Sequence, residues 1–414
     1  MAISQSTFEA RSSFGFEEQL ATSSHLEDYL GRSPSGAPTG TTMLCGAQEA
    51  SIAPDSTLWP LGEHTPGKHL VLRNYLNAWL PILGMTQDRI VFIDGFAGPG
   101  QYTEGEPGSP IIAVRALKEH VAKAKFSAEV KFVFVELEPD RAQYLERLVE
   151  AEKADLPGNC DALVVQGRFD ATMTTLLDDI ESKMKALAPC FLMVDPFGIS
   201  GTPMTIIQRV LRHPKSEVYI SFMYEAINRF NTTSEFAPHL DALFGCTDWR
   251  RGVEIVDAQQ EKDFFYTLYR NQLKQAGARY VLHFELYQGG RLVYAIFFGT
   301  KHLLGCDRMK QAIWKVAPFG DYVFRGTRTA QLGLDLDAVD PAALANELAA
   351  AFKSAEWIRV EEANEFAQSD LTDYHSGHLK KALVHLETSK RIEIKAGSRK
   401  KVRTFPDGTR FRFK

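Results

Sequence analysis

The sequence predicts an α/β protein whose mostly parallel sheet ends in an antiparallel hairpin. Short, nearly continuous apolar runs alternate with helical stretches, as in parallel sheets that are covered on both faces. Two later strand-like runs are separated by Gly289 and Gly290, and paired glycines tolerate the positive φ of a tight hairpin turn. In chain order the predicted strands are residues 89–94, 130–136, 162–166, 190–195, 217–222, 280–287 and 291–298.

Changes in composition divide the chain into three predicted segments. Residues 1–55 are rich in Ser, Thr, Gly and Ala, so we expect them to be disordered. Residues 56–335 contain the seven predicted strands of the sheet, preceded by an amphipathic helix at Lys68–Leu83. Residues 340–414 carry two helical patterns, 342–355 and 376–388, followed by two short strands, which predicts a small winged-helix-like α+β domain.

The composition excludes several classes of protein. The chain has 414 residues, of which 44% are apolar and 24% charged, as in ordinary globular proteins. Its five cysteines are widely spaced, which argues against a zinc site or a disulfide framework, and we expect no metal. No stretch approaches the roughly 18 consecutive apolar residues that cross a bilayer. The N-terminus shows no signal-peptide pattern, so the expected location is cytoplasmic.

A glycine-rich turn follows the first predicted strand. It runs from Asp94 through Phe96, Ala97 and Gly98 to Gly100, and its glycines let the backbone approach a ligand closely. A simple tight turn would look the same. Glu136, at the end of the second strand, is placed to accept hydrogen bonds from the ribose hydroxyls of an adenosine.

Two further features end the third and fourth strands. After the third strand, Phe169 could cover an adenine ring while Asp170 accepts from its amino group, although an exposed loop Asp is commonplace. After the fourth strand come Asp195, Pro196 and Phe197. Such a turn can hold an amino group by hydrogen bonds and stack an aromatic ring on a base taken out of its helix. The alternative is an ordinary strand-to-loop turn.

Together these four features predict one ligand site. Each lies at the carboxyl end of its own strand, and open parallel sheets bind ligands at that edge. Five parallel strands followed by a hairpin are also the strand inventory of Rossmann-like, class I methyltransferases dependent on S-adenosylmethionine (SAM). We therefore predict SAM as the cofactor.

A set of residues before, within and after the predicted strands forms one recognisable pattern. It consists of Trp59, His64, Thr65, Lys68, His69, Tyr75, Leu76, Trp79, 81–83, 93–102, 108–110, 195–198, Met309 and Lys310. With these residues the chain resembles the bacterial three-Cys-motif partner proteins over about residues 57 to 414. In that family the cysteine motif belongs to a genomic partner, a phage Gp37/Gp68-like, radical-SAM-like protein, and the resemblance implies such a partner here.

A more distant resemblance is to the ribosomal-RNA adenine-N6 methyltransferases, which share the Lys-His pair, the glycine turn and Gly-Ser-Pro. It implies that Asp195 is the catalytic acceptor and that His69, Ser109, Glu136, Phe169 and Asp170 contact the cofactor. Lys68 and His69, on the helix before the first strand, could meet the carboxylate of the methionine moiety, and a solvated surface is the alternative. The chain departs from that family in having Asp-Pro-Phe-Gly instead of Asp-Pro-Pro-Tyr, which puts adenine in doubt. The tRNA guanine-N2 dimethyltransferases have a similar turn.

The C-terminus is strongly basic although the whole chain has a net charge of −5. From Lys380 onward twelve basic residues face three acidic ones, so this segment carries 12 − 3 = +9. Positive charge at the wing of a winged helix would neutralise phosphates, and a solvated surface is the alternative. The predicted nucleic-acid-binding residues are Arg399, Lys400, Lys401 and Arg403.

The sequence thus supports two hypotheses. One is a SAM-dependent methyltransferase acting on an exocyclic amine, most plausibly of a nucleic-acid base. The other is a non-catalytic, methyltransferase-like scaffold that binds nucleic acid or regulates the three-cysteine partner. The sequence does not distinguish DNA from RNA or indicate an oligomeric state.

Overall fold

The structure is a computed structural model that describes residues 56–62, 65–288, 290–317, 323–324 and 340–414. The predicted disordered segment, the Gly289 position of the hairpin and most of the predicted boundary at 335–340 lie outside these residues. No helix in the described part of the chain is both long and apolar enough to span a membrane.

A single large sheet organises the structure, with strand order β3-β2-β1-β4-β5-β7-β6-β8. Strands β1 to β5 are parallel, and β7 runs antiparallel between β5 and β6. This confirms the predicted α/β class and the terminal hairpin. The strands are β1 (Arg89–Asp94), β2 (Glu129–Glu136), β3 (Cys160–Gln166), β4 (Cys190–Val194), β5 (Glu217–Phe222), β6 (Tyr280–Gln288), β7 (Arg291–Thr300) and β8 (Val323–Phe324).

Helices cover both faces of this sheet, each over its own apolar core. Helices α1, α2, α3 and α9 pack on one face, and α4 to α8 pack on the other. These helices are α1 (Thr65–Gly84), α2 (Ser109–Lys118), α3 (Pro139–Lys153), α4 (Phe169–Ser182), α5 (Met204–Arg212), α6 (Tyr224–Phe230), α7 (Ala237–Phe244), α8 (Ala258–Gln275) and α9 (Leu303–Trp314).

Helix α1 shows why the sequence folds this way. Its apolar side chains recur at three- and four-residue spacing, so Leu72, Tyr75, Leu76 and Trp79 lie on one buried stripe against the sheet. Burying one such side chain contributes roughly 1.5–3 kcal/mol. Because the helix crosses the sheet, its first turns lie at the carboxyl edge of the strands and its last turns at the amino edge.

The C-terminal residues form three helices and a small antiparallel sheet with the order β10-β11-β9. Helix α11 and strand β9 were not predicted, since a helix that buries Val360, Ala363 and Ala367 gives only a weak apolar pattern. The assignment to the winged-helix class stays a prediction. The elements are α10 (Pro341–Ala351), β9 (Ile358–Arg359), α11 (Val360–Gln368), α12 (Ser376–Thr388), β10 (Ile392–Ile394) and β11 (Arg410–Phe413).

Helix α9 joins the large sheet to these C-terminal helices through two buried charges. Asp307 accepts hydrogen bonds from the backbone N–H of Ser376 at 2.8 Å and from its hydroxyl at 2.9 Å, at the first turn of α12. Lys310 lies at the other junction, where α11 ends. Its ammonium is within 3.0 Å of four backbone carbonyl oxygens, those of Ala367, Ser369, Thr372 and Tyr374. The two side chains form hydrogen bonds with backbone N–H and C=O groups near helix ends, which apolar packing would leave without partners.

Candidate functional site

The carboxyl ends of β1 to β4 open into a cleft made of two adjoining cavities. The larger has a volume of about 1150 Å³, including space open to solvent, and lies over the ends of β2 and β3. The smaller, about 770 Å³, lies between α1 and the glycine turn. Phe96, Pro196 and Phe197 line both cavities, so the two are halves of one site. An elongated ligand could occupy both.

The glycine turn after β1 forms the floor between the two halves. Gly98 and Gly100 have φ angles of 60° and 77°, in the left-handed region that side chains disfavour. Gly95 is restricted by space, because a Cβ there would lie 2.3 Å from the ring of Phe169. The turn can pass this close to the cleft because these glycines have no Cβ.

Glu136 holds the turn from the end of β2. Its two carboxylate oxygens accept hydrogen bonds from the backbone N–H groups of Gly98 and Glu138, each at 2.8 Å. Burial raises the pKa of Glu136 above its usual value, although these two bonds act in the opposite direction. A carboxylate offers about four acceptor positions, so Glu136 can accept further hydrogen bonds from a ligand in the larger cavity.

Asp94, the last residue of β1, is fully buried behind the turn. One oxygen accepts a hydrogen bond from the Phe96 N–H at 3.1 Å. No described residue completes a hydrogen bond to the other oxygen, although the Ser109 hydroxyl is close enough to favour the charged form. Burial raises the pKa of Asp94 to about 6. A positively charged ligand group in this half of the cleft would gain from such a carboxylate.

Asp195 lies at the end of β4 and is held from two sides. The ammonium of Lys68 bonds one carboxylate oxygen and the hydroxyl of Ser221 bonds the other. Burial favours the neutral acid, but the Lys68 charge and the two hydrogen bonds outweigh it and hold the pKa of Asp195 below its usual range. Burial likewise opposes the charge on Lys68, yet Asp195 raises its pKa. Asp195 is therefore a carboxylate in a fixed orientation, with 23% of its side chain exposed to the cleft.

Aromatic side chains form the walls of the cleft. Phe96 and Phe169 contact each other with ring centroids 5.2 Å apart. Above them Trp59 packs edge-on against Phe197 at 5.7 Å, and the guanidinium of Arg141 lies 5.1 Å from the Trp59 ring. Trp59 thus covers the Asp195-Pro196-Phe197 turn from a segment that precedes α1.

The structure brings the remaining sequence-predicted residues to the same cleft. His69 lies beside Tyr102, with ring centroids 5.9 Å apart, and Ser109 begins α2 at the smaller cavity. Ala97 lines that cavity too. Asp170 lines the larger cavity but is ion-paired with Arg168 at 3.1 Å, so an adenine amino group would have to share it.

Some cleft residues were not predicted as site residues. Ser221 and Tyr294 come from β5 and β7, and Tyr102 follows the glycine turn. A hydroxyl near the end of a buried strand, as at Ser221, was the available signal. The Lys68–Asp195 pair joins residues 127 positions apart, and only the placement of α1 beside β4 reveals it.

One predicted nucleic-acid contact, Arg399, also has an intramolecular partner. The guanidinium of Arg399 is ion-paired with Glu387 of α12, its side chain is only 10% exposed, and it lies over the Phe405 ring. Arg399 therefore anchors its loop to the helix, and its contact with nucleic acid stays a prediction. Lys400, Lys401 and Arg403 are exposed in the loop between β10 and β11.

The described cysteines, Cys160, Cys190, Cys246 and Cys306, are free thiols. No three His, Cys, Asp or Glu side chains come together as metal ligands in the parts of the chain that the structure covers.

No family model and no curated protein matches the chain. Solved structures with a similar fold include an O-methyltransferase from Bacillus cereus in complex with SAH, at 12% identity and TM-score 0.31, covering 61% of this chain and 94% of that one. Another is a precorrin-6y C5,15-methyltransferase from Geobacter metallireducens GS-15, at 11% identity and TM-score 0.27, covering 56% and 87%. A third is the putative methyltransferase yhhF from Escherichia coli, at 15% and TM-score 0.27, covering 56% and 86%.

The strand order itself defines the class of fold. Five parallel strands in the order 3-2-1-4-5, followed by a reversed β7 between β5 and β6, form the Rossmann-like sheet of class I SAM-dependent methyltransferases. The cleft lies at the edge where such sheets bind their ligands.

Proposed function

We propose that the protein is a SAM-dependent methyltransferase that acts on an exocyclic amine, with a nucleic-acid base as the substrate class. The observation that carries the proposal is the Asp195-Pro196-Phe197 turn, whose carboxylate is fixed by Lys68 and Ser221 in the wall of the cleft. SAM supplies an activated methyl group on a sulfonium, so the main task of the protein is to hold SAM and the substrate and to orient them.

The residues present fit SAM at both ends. In the larger cavity Glu136 has acceptor capacity for ribose hydroxyls, and Phe96 and Phe169 offer apolar surface for an adenine ring. Asp94 lies behind the glycine turn and lines neither cavity, but its oxygen that lacks a complete hydrogen bond would suit an α-ammonium group that approaches through the smaller cavity. Lys68 and His69 line the smaller cavity and could also meet a carboxylate, Lys68 while keeping its ion pair with Asp195.

The chain's own contribution to the reaction follows from the state of Asp195. As a carboxylate it can only accept hydrogen bonds, so it orients an amine through its N–H and leaves the nitrogen lone pair free to face the methyl group. The ring of Phe197 is at hand to stack on a planar base. The exposed Lys400, Lys401 and Arg403 would add phosphate contacts outside the cleft.

The first experiment is transfer of tritiated methyl from SAM to DNA, tRNA and rRNA by the full chain. Asp195→Ala should lower transfer at least a hundredfold, while calorimetry shows cofactor affinity within a few-fold of wild type. Asp248→Asn, at an exposed position away from the cleft, is the control. Full activity of Asp195→Ala would remove this carboxylate from the mechanism.

A non-catalytic scaffold is the second candidate, and one observation favours it. Both oxygens of Asp195 are already engaged by Lys68 and Ser221, as they would be in a purely structural turn. In that case the resemblance to three-Cys-motif partner proteins points to a role beside the three-cysteine protein. Calorimetry separates the candidates, since a scaffold without cofactor function would bind neither SAM nor its demethylated product.

A further inference from the structure

A second cavity lies at the opposite, amino-terminal edge of the large sheet. It has a volume of about 740 Å³ and shares no lining residue with the cleft. The last turns of α1 supply Trp79 and Leu83, the turn before β5 supplies Lys215, and the first turns of α9 supply Leu304 and Arg308. Neither the proposed reaction nor the C-terminal helices use this space.

The inner wall of this cavity is apolar and aromatic around one buried carboxyl group. Glu217 accepts hydrogen bonds from the hydroxyls of Tyr75 and Thr300, each at 2.6 Å, and burial raises its pKa to about 7. No described residue completes a hydrogen bond to the buried indole N–H of Trp79, although it lies close enough to Glu217 to favour the charged form of that carboxyl group. The polar groups of this wall therefore face one another, and the remaining lining of the wall is apolar surface.

Positive charge surrounds the mouth. Lys215 and Arg308 line it together with His302, whose pKa is lowered by burial, and Glu217 at the floor is the one carboxylate among the described lining residues. Lys215 bonds the neutral side-chain amide of Gln87 at 2.7 Å. Arg308 bonds the amide of Gln311 at 2.8 Å and lies 4.0 Å from the carboxylate of Asp307. The first turn of α9 adds backbone N–H groups and the positive end of a helix dipole.

A glycine in the sequence allows the first turn of α9 to lie close to Glu217. A Cβ on Gly305 would lie 2.4 Å from a carboxylate oxygen of Glu217, so only glycine lets the first turn of α9 reach this wall. Leu304, in the same turn, is 42% exposed at the mouth. The cavity therefore combines an apolar slot with an electropositive rim.

We propose that this amino-edge cavity binds a small planar aromatic anion. Its ring would lie against Trp79 and Leu83, and its anionic group between Lys215, Arg308 and the first turn of α9. Charge complementarity carries the choice, because an apolar slot below a cationic rim matches a molecule with a flat body and one charged end.

The test uses 1-anilinonaphthalene-8-sulfonate, a flat aromatic anion that fluoresces when it leaves water, titrated into the full chain. The double variant Lys215→Gln/Arg308→Gln should bind it on the order of tenfold more weakly, as expected for the loss of two charge contacts. Lys125→Gln/Arg251→Gln makes the same charge change at exposed positions elsewhere and should bind it as wild type does.

A second variant tests the mouth without touching either cation. Leu304→Asp places a negative charge at the rim and should also weaken binding, whereas Val256→Asp, at a fully exposed apolar residue, should not. Titrations are repeated with saturating SAH, which should leave the probe bound. Unchanged affinity in both cavity variants, or displacement of the probe by SAH, would overturn the proposal. Neither result depends on methyl-transfer activity, so the proposed function stands or falls separately.

Discussion

Single carboxyl groups in the cleft differ in charge state because their neighbours differ. Asp195 is stabilised as a carboxylate by Lys68, whereas Asp94, one strand away, is buried with few hydrogen bonds and has a pKa of about 6. The sequence predicted that both residues lie at the cleft. It could not predict their charge states, because these depend on Lys68 and Ser221, which are distant in the chain.

Asp94→Asn should make the protein more stable while weakening its binding to SAM. The wild-type pKa is raised from its usual 3.8 to about 6, so above pH 6 the folded state carries the cost of a buried charge. Removing it should raise the free energy of unfolding at pH 8 by about 1–3 kcal/mol. The gain should disappear as the pH falls from 6 to below 4, where the carboxyl is neutral in both states. Urea unfolding at pH 8 and pH 4 measures this, and equal gains at the two pH values would contradict it.

The same carboxyl predicts the pH dependence of cofactor binding. If Asp94 holds an α-ammonium group, it must be charged, so SAM affinity should fall about tenfold for each pH unit below about 6. Calorimetry between pH 4.5 and 8 measures the change. In Asp94→Asn the affinity should be lower throughout and lack this step; a step of the same size in the variant would assign it to another group.

At the scale of elements, the strands and most helices were predictable because their apolar pattern is local. Strands β1 and β5 and helix α12 have the predicted bounds. Helix α11 was missed because its buried positions are small residues, and its end is satisfied from outside by Lys310. A lysine on α9 gives no sequence signal for the helix that it caps.

Lys310→Met should loosen the C-terminal helices. The variant leaves four carbonyl oxygens without their buried donor, which should lower the free energy of unfolding by about 3 kcal/mol. Hydrogen exchange should accelerate first at residues 360–375. Lys315→Met, an exposed lysine just after the same helix, should change neither quantity. Uniform acceleration over the whole chain would argue against a local role for Lys310.

Two residues of the loop between β10 and β11 should affect different properties, one the stability of the protein and the other its binding to nucleic acid. Arg399→Met breaks the ion pair with Glu387 and should cost about 2 kcal/mol of stability. Lys401→Met, at an exposed position two residues on, should leave the melting temperature unchanged and weaken binding to nucleic acid. Thermal melts and filter binding together measure both effects, and the reverse assignment would show that Arg399 is the polymer contact.

At the scale of the whole molecule, the candidate cleft and the basic loop belong to one connected structure. Asp307 and Lys310 fix the C-terminal helices to α9, and α9 packs on the large sheet. The sequence predicted the basic C-terminal segment from its local charge, which the net charge of −5 conceals. It did not predict the attachment of this segment to α9, because Asp307 and Lys310 bond residues that lie far from them in the chain.

Salt dependence measures how much the basic loop contributes to binding. Replacing Lys400, Lys401 and Arg403 with Gln should weaken nucleic-acid binding and reduce the slope of log K against log salt by about 2 to 3, roughly one unit per lost phosphate contact. Titrations of one duplex and one single strand between low and physiological salt give the slopes. An unchanged slope would place the polymer elsewhere on the surface.

The position of β7 has a consequence for how the protein is made. Because β7 inserts between β5 and β6, the open side of β5 stays without a partner until residue 300 has left the ribosome. Until then a strand that is fully buried in the folded protein has an exposed edge, the kind of surface on which nascent chains aggregate. Synthesis that pauses before the hairpin should therefore increase dependence on chaperones.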